Sequence, residues 1–182
     1  YKKYNLNYFI LPLGHKAEFF KKFFNKKTIC KKYKFNILKS KKDIVKTNYI
    51  NIKLFDSRKN ITKSQRIYES LKYIKTNFFL VTYGDGLADI NFNKQLNFFY
   101  KSKKNILTTF KIRSQYGHVR STNNNIVLNF EEKPKLKLPI NIGYYIFKKK
   151  DFIKIYKKNL ELESHLLPIL SKKRKLISYN HN

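Results

Sequence analysis

The sequence predicts a layered α/β domain with a mixed, mostly parallel central sheet. In the first half, short apolar runs rich in β-forming residues alternate with stretches in which apolar residues recur at helical spacing. Strand, helix, strand, helix in this order is typical of parallel strands covered by helices. The chain has 182 residues, of which 42% are hydrophobic and 16% aromatic. That composition is enough for one domain with a buried core.

The first strand and helix are predicted at the start of the chain. Residues 6–13 read as a buried strand, which Pro12-Leu13-Gly14 closes. The helix that follows has apolar positions that include Ala17, Phe20 and Phe24. A lysine-rich connection then leads to the next strand.

The next strand is half-buried, since Ile50, Ile52 and Leu54 alternate with polar residues. A helix over 66–74 follows and leads directly into an apolar strand over 78–83. In the second half we predict a strand over 106–112, a hairpin of 118–121 and 126–130, a strand over 140–147, helices over 152–156 and 162–170, and a strand over 176–179.

Gly84-Asp85-Gly86 directly follows the strand over 78–83. Ligands of open α/β sheets bind beyond the carboxyl ends of the strands, so this position makes Asp85 a candidate metal ligand. Asp-Gly is also typical of a hairpin turn. From Phe92 onward, however, apolar residues recur at helical spacing, which favours a turn from strand to helix. We expect Asp89 to cap that helix, which starts near Asn91, and not to bind metal.

Two later segments carry further candidate residues. Glu132 and Lys133 follow the apolar alternation of the second hairpin strand; a carboxylate can accept hydrogen bonds from sugar hydroxyls while an ammonium neutralises a phosphate. A solvated charge pair before a loop is the alternative. In Asn141-Ile142-Gly143, an amide and a residue without Cβ could admit a close ligand, or Asn141 could bond the local backbone.

The charge of the chain is strongly positive, with 41 Lys+Arg against 11 Asp+Glu and a net charge of +30. Such a charge raises nucleic acid or an anionic membrane as a partner. Lysine is spread through every segment, however, and is enriched together with Asn, Ile, Phe and Tyr, all of which have codons made only of A and T. We therefore attribute the charge to genome composition and expect neither nucleic acid nor membrane as partner.

The single cysteine, Cys30, excludes an internal disulfide and a zinc cluster built from cysteines. A reducing, cytoplasmic setting is the natural interpretation. No apolar stretch approaches the roughly 20 residues of a membrane span.

Taken together, three segments resemble the sugar nucleotidyltransferase family, most closely its glucose-1-phosphate cytidylyltransferases. The segment 83–89 is similar to that group's Tyr-Gly-Asp-Gly-Val-Ala-Asp, 132–135 to its Glu-Lys-Pro-Lys, and 140–147 to its Ile-Asn-Gly-Gly-Phe-Phe strand. The order and spacing agree, and the similarity covers nearly the whole chain. The resemblance implies a Rossmann-like, GT-A-like nucleotidyltransferase fold.

The resemblance also implies a reaction, in which a sugar 1-phosphate attacks the α-phosphorus of CTP or another NTP with Mg²⁺ as cofactor. Asp85 would bind the metal and Glu132 the sugar hydroxyls, while Lys133 would meet the sugar phosphate as a second catalytic residue. Asn141 and Gly143 would shape the sugar pocket. Further substrate-binding candidates are Gly84, Gly86 and Gly117.

The printed chain lacks two parts of the family pattern, a glycine-rich loop before Tyr1 and a second metal-binding Asp after Asn182. We therefore interpret residues 1–182 as a nucleotidyltransferase catalytic domain that is incomplete at both ends, and expect this piece to be inactive alone. Around 62–66 the family has Thr-Gly-Gly-Arg near the base, and the bulkier residues here leave the nucleotide open.

Three alternatives stay open at this point. The protein could be a thymidylyl- or uridylyltransferase of the same fold, or a non-catalytic member that binds a nucleotide sugar. The oligomeric state is also open, with a homo-oligomer as one option.

Overall fold

The computed structural model describes residues 1–40, 43, 45–57 and 60–181. The strands of this part are β1 (Tyr8–Leu13), β2 (Phe35–Leu38), β3 (Ile50–Asp56), β4 (Phe78–Thr82), β5 (Asn105–Phe110), β6 (His118–Ser121), β7 (Val127–Glu131), β8 (Ile140–Lys148) and β9 (Leu176–His181). The helices are α1 (Ala17–Phe24), α2 (Lys27–Tyr33), α3 (Lys63–Ser70), α4 (Phe92–Ser102), α5 (Lys149–Ile155) and α6 (Leu167–Lys172). A π-helical turn, Leu162–Leu166, precedes α6.

The strands form two main sheets and a separate hairpin. The first sheet has the order β1-β3-β2, and all three strands are parallel. The second has the order β4-β8-β5-β9, in which β4, β5 and β9 run in one direction and β8 runs against them. The predicted mixed, mostly parallel α/β architecture is confirmed. Among the described residues, however, the strands are shared between two sheets instead of one central sheet.

Strand β3 lies in the middle of the first sheet and is more buried than its alternating pattern predicted. Its polar residues Asn51 and Lys53 are buried together with Ile52. Asn51 donates from Nδ2 to the Lys46 carbonyl (2.8 Å), and Lys53 Nζ donates to the carbonyl of Lys39 (2.7 Å). Because these polar groups have partners, their burial is tolerated in the centre of a sheet.

The main core lies between the second sheet and the C-terminal helices. Phe147 of β8 and Phe152 of α5 are completely buried there, as is Leu170 of α6. The predicted second helix over 162–170 is divided into the π-helical turn and α6. Pro168 lies in the first turn of α6, where a missing backbone N–H breaks no helical hydrogen bond.

Two local expectations for the first half and the helix after Asp85 are wrong. The lysine-rich connection contains a helix and a strand, α2 and β2, although its positions 41, 42 and 44 lie outside the described residues. Asp89, expected as the cap of α4, does not serve as one, because Asn91 accepts the capping hydrogen bond from the backbone N–H of Lys94 (3.1 Å).

No helix in the described part of the chain has the length and apolar character that crossing a bilayer requires.

Candidate functional site

Asp85 lies just beyond the carboxyl end of β4, as the sequence predicted. Strand β4 ends with Thr82 opposite Tyr144 of β8, so the turn after it faces the beginning of β8. A Cβ atom added to Gly86 would be 3.8 Å from the carbonyl oxygen of Ile142. The carboxylate of Asp85 is exposed and has no hydrogen bond or ion pair with a described residue. It is therefore free to bind a ligand at the end of the strand.

The turn that carries Asp85 is held against β8 by Tyr144. The Tyr144 hydroxyl donates to the carbonyl of Gly86 (2.9 Å) and accepts from the backbone N–H of Ala88 (3.1 Å). The tyrosine ring is buried beside Ile90 and Phe92. Because one buried side chain bonds both Gly86 and Ala88, directly after Asp85, the position of this turn is fixed relative to the sheet.

Asn141 and Gly143 lie at the beginning of β8, beside the same turn. Gly143 has a φ of +77°, and a Cβ there would be 2.7 Å from Cδ2 of Tyr83. Only glycine combines this backbone conformation with such a close approach. Asn141 accepts the Gly143 backbone N–H with Oδ1 (3.0 Å) and donates from Nδ2 to the Tyr145 hydroxyl (2.6 Å). Gly84, which precedes Asp85, has open space around its α-carbon.

Glu132 and Lys133 lie on a loop that is hydrogen bonded to the segment directly after β5. The backbone N–H of Ser114 donates to the carbonyl of Pro134 (2.8 Å), and that of Leu136 donates to Ile112 (2.9 Å). Lys133 has a φ of +47°, in the left-handed region that is unfavourable for a side chain with Cβ. Its Nζ is 3.9 Å from Oε1 of Glu132, and both side chains are about 60% exposed.

Gly117 lies beside Glu132. A Cβ added there would be 3.0 Å from Oε2 of Glu132 and 2.5 Å from the ring of Phe130. The glycine therefore lets the Glu132 carboxylate and the Phe130 ring lie close to the backbone before β6.

The residues around Asp85 (Asn141 and Gly143) and those around Lys133 (Gly117 and Glu132) lie at the same edge of the second sheet. Strands β4 and β5 both run antiparallel to β8, so their carboxyl ends point the same way. Thr109, next to the end of β5, pairs with Asn141. The loop with Lys133 leads into the beginning of β8 and is hydrogen bonded to the segment that follows β5. Among the described residues no hydrogen bond or ion pair joins Asp85 to Glu132 or Lys133, so the shared edge is what relates the two groups.

Sequence reasoning missed the charged residues behind Asn141. Lys63, at the beginning of α3, forms an ion pair with Glu163 of the π-helical turn (2.5 Å). Glu163 also accepts a hydrogen bond from the Tyr83 hydroxyl, and Tyr83 is hydrogen bonded to the Tyr145 hydroxyl (3.0 Å). A signal was present in the sequence: Tyr145 stands where the family pattern has Phe, and a buried tyrosine hydroxyl needs a partner.

These contacts change the proton affinities of the linked groups. Burial raises the pKa of Tyr83 far above its ordinary value, and the hydrogen bonds with Glu163 and Tyr145 add to the effect. Burial also acts to raise the pKa of Glu163. Hydrogen bonds from Lys63 and Tyr83 outweigh burial, and that pKa lies below its ordinary value. The hydrogen bond to Glu163 raises the pKa of Lys63. At neutral pH the tyrosine is therefore neutral and the pair is ionised.

The described part of the chain has no group of three or more His, Cys, Asp or Glu side chains that could hold a metal ion. Directly after β4, Asp85 contributes one exposed carboxylate. One carboxylate suits Mg²⁺ only when phosphate oxygens and waters complete the coordination. The donor set thus fits a metal that arrives with a phosphate ligand, not a preformed cage.

Comparison with known proteins gives this arrangement a family. The nucleotidyl transferase family model matches residues 16–181. The chain belongs to this family. The resemblance that the three segments predicted is thereby confirmed, and so is its consequence that the protein is an enzyme.

Individual relatives of this nucleotidyl transferase are named for different nucleotides. A "Probable glucose-1-phosphate cytidylyltransferase" of Bacillus subtilis (strain 168) is 28% identical over 189 residues, covering all of this chain and 72% of that protein. A "Glucose-1-phosphate adenylyltransferase" of Mycoplasma mobile (strain ATCC 43663 / 163K / NCTC 11711) is 27% identical, covering 64% of this chain and 35% of that protein.

Solved structures share the fold. HddC from Yersinia pseudotuberculosis matches with a TM-score of 0.64 and 18% identity over 98% of this chain and 72% of its own. A second structure of HddC is complexed with GMP-PN and matches with a TM-score of 0.58, at 19% identity over 94% of this chain and 68% of its own. At this level of identity, these matches support the predicted α/β fold and no finer property.

Proposed function

We propose that the protein is a Mg²⁺-dependent glucose-1-phosphate cytidylyltransferase, which makes CDP-glucose and pyrophosphate from CTP and glucose 1-phosphate. The observation that carries the proposal is that Asp85, past the end of β4, lies beside the Asn141–Gly143 segment of β8. A nucleotidyl transfer needs an acidic group for phosphate-bound metal next to a polar pocket for the sugar. The product would serve nucleotide-sugar and surface-polysaccharide (O-antigen) biosynthesis in the cytoplasm.

In this reaction an oxygen of the sugar 1-phosphate attacks the α-phosphorus of the nucleoside triphosphate. A new P–O bond forms as the bond to the β-phosphate oxygen breaks, and pyrophosphate leaves with the electron pair. Catalysis of such a transfer rests on alignment of the two substrates and on neutralisation of phosphate charge. The protein therefore has to hold two anions close together.

The residues at the sheet edge have different roles in this reaction. Asp85 would hold Mg²⁺, which when bound neutralises charge on the triphosphate. Glu132 accepts hydrogen bonds from sugar hydroxyls, and Lys133 binds the sugar phosphate as a point charge. Asn141 with Gly143 bounds the sugar pocket. Gly84 and Gly86 keep space for the ligands close to the backbone, and Gly117 lets the Glu132 carboxylate lie close to the backbone.

The cytidylyl choice is supported by the similarity to the Bacillus subtilis relative over the whole chain. A uridylyl-, thymidylyl- or other nucleotidyltransferase is the alternative, because one relative is named an adenylyltransferase and one structure of HddC is complexed with GMP-PN. At the beginning of α3, Lys63 and the buried Ser64 each have protein partners, which is compatible with either choice.

The test is to incubate the full-length protein with Mg²⁺, glucose 1-phosphate and each of CTP, UTP, dTTP, ATP and GTP, and to measure pyrophosphate release. We expect the fastest release with CTP. Fast release with another nucleotide and none with CTP would overturn the cytidylyl assignment. Binding of a nucleotide sugar in calorimetry without release from any pair would identify a non-catalytic member.

A further inference from the structure

A hydrogen-bonded chain of five side chains runs from the sugar side of the proposed site to a charged pair behind it. Its members, in order, are Asn141, Tyr145, Tyr83, Glu163 and Lys63. The residues come from β8, the end of β4, the π-helical turn and α3. Four separate segments are thus tied together by side chains directly beneath Asn141.

The direction of each hydrogen bond can be assigned from chemistry. The backbone N–H of Gly143 is a donor only, so it must face the oxygen Oδ1 of Asn141. The amide nitrogen Nδ2 then faces Tyr145 and donates to its hydroxyl. This contact fixes which way the amide points.

The remaining protons follow in sequence. The ionised carboxylate of Glu163 can only accept, so the Tyr83 hydroxyl gives its proton to Glu163. The Tyr83 oxygen therefore accepts the proton of Tyr145. All bonds point from Asn141 towards Glu163, where the ammonium of Lys63 balances the charge. Lys63 Nζ also lies 4.5 Å from the centre of the Tyr83 ring, a cation–π contact.

One donor in the hydrogen-bonded chain, on Asn141, is left for a ligand. Asn141 is exposed, and Nδ2 carries two hydrogens, of which Tyr145 takes one. The second hydrogen is held in a fixed direction at the sugar side of the site. Tyr145 itself is 1% exposed, so water does not compete for the hydroxyl that holds the amide.

We propose that Glu163 and Lys63 are positioning residues, which act through Tyr83 and Tyr145 to aim the Asn141 amide at a hydroxyl oxygen of the sugar 1-phosphate. This inference rests on the proposed function for the identity of the ligand. The orientation of the amide itself is a property of the protein without ligand. The two parts can therefore be tested separately.

The first experiment uses kinetics. In Tyr145→Phe and Glu163→Ala, each of which interrupts the chain, we expect KM for the sugar 1-phosphate to rise on the order of tenfold, with KM for the nucleotide nearly unchanged. Because both changes break the same chain, the double variant should be no worse than the poorer single variant. Glu163→Gln, which retains an oxygen acceptor for Tyr83 and Lys63, should recover most of the loss.

The matched control is Lys175→Ala. Lys175 forms an ion pair of the same kind with Asp151 (2.6 Å), but at the amino ends of β5 and β9, the opposite edge of the sheet. We expect that variant to keep both KM values. Equal increases in both KM values for Tyr145→Phe, or an effect of Lys175→Ala equal to that of Glu163→Ala, would overturn the positioning role.

The second experiment needs no activity. The side-chain NH₂ signals of Asn141 are assigned in ¹H–¹⁵N spectra with Asn141→Asp and then followed in Glu163→Ala and Lys175→Ala. We expect the Asn141 signals to move in Glu163→Ala and to stay unchanged in Lys175→Ala. Unchanged signals in Glu163→Ala would overturn the inference even in an active enzyme. If the wild-type protein is inactive but the Asn141 signals still move in Glu163→Ala, the proposed function is refuted and the orienting role of the hydrogen-bonded chain is supported.

Discussion

Gly143 lies so close to Tyr83 that a Cβ atom added to it would be 2.7 Å from Cδ2 of the tyrosine ring. The same glycine has a φ of +77°, which other residues adopt only with strain. The contact joins the beginning of β8 to the segment directly before Asp85. A change at one position is therefore transmitted to the other.

Gly143→Ala should damage both the fold and the site. The new methyl group meets a ring that is itself held by Glu163 and Tyr145, so the ring cannot move away without breaking hydrogen bonds. We expect a loss of about 1–3 kcal/mol in the free energy of unfolding, measured by urea denaturation.

Gly84→Ala is the control for this stability measurement. Gly84 has nothing within 4 Å of an added Cβ, and its φ is not in the left-handed region. We expect a change within about 0.5 kcal/mol. If the two alanine variants have the same stability, the close contact at Gly143 has no energetic importance.

Lys133→Ala should weaken binding of the sugar phosphate and leave the fold intact. The side chain is 62% exposed, and its ion pair with Glu132 is long at 3.9 Å, so little stability depends on it. We expect KM for the sugar 1-phosphate to increase on the order of tenfold or more, since one charge-assisted contact is lost.

Lys137→Ala removes another exposed lysine from the same loop and is the matched control. It should leave KM unchanged. A normal KM in Lys133→Ala would contradict the assignment, and equal effects of both variants would indicate a general effect of positive charge.

The ion pair of Glu163 and Lys63 should make stability depend on pH. The pKa of Glu163 is lowered in the folded protein, from an ordinary value of 4.5. Its stabilising contribution is therefore fully present above that value, and is lost as the pH falls through the lower, folded pKa. We expect Glu163→Gln to lower Tm at about pH 7, and the difference from the wild type to shrink as the pH falls below 4.5.

Asp151 also has a lowered pKa, because hydrogen bonds from Lys175 and Asn105 outweigh the effect of burial. The wild type and Glu163→Gln should therefore both lose stability in acid. The informative quantity is the difference between their Tm values at each pH. A difference that stays constant with pH would show that the charge of Glu163 does not stabilise the fold.

Most of the fold could be predicted because its strands end abruptly. The apolar run before Gly84-Asp85-Gly86 and the polar turn between β6 and β7 are local signals, and the structure has both strands and turns at those places. Helix α2 was missed because three of its seven residues are lysine and it buries no residue. The exposure of Phe20 could not be predicted, since helical spacing shows an apolar face but not whether another element covers it.

The candidate site could be predicted only in part. Asp85 and Asn141 follow from short patterns within one strand or turn. The contact of Lys63 with Glu163 joins residues that are 100 positions apart, and that of Tyr83 with Glu163 joins residues 80 apart. Such pairs depend on how β4, α3 and the C-terminal helices pack, so no local pattern contains them.

The most direct test of the central claim compares two neighbouring acidic residues in the full-length protein. Asp85 lies at the end of β4, whereas Asp89 is 95% exposed and contacts His181 (3.2 Å). Asp85→Asn and Asp89→Asn change the same group, and neither side chain is needed for the core. Pyrophosphate release from CTP and glucose 1-phosphate is measured for both at increasing Mg²⁺. The account predicts that Asp85→Asn abolishes release while Asp89→Asn retains it, with both variants folded; Mg²⁺-dependent release at the wild-type rate in Asp85→Asn would contradict it.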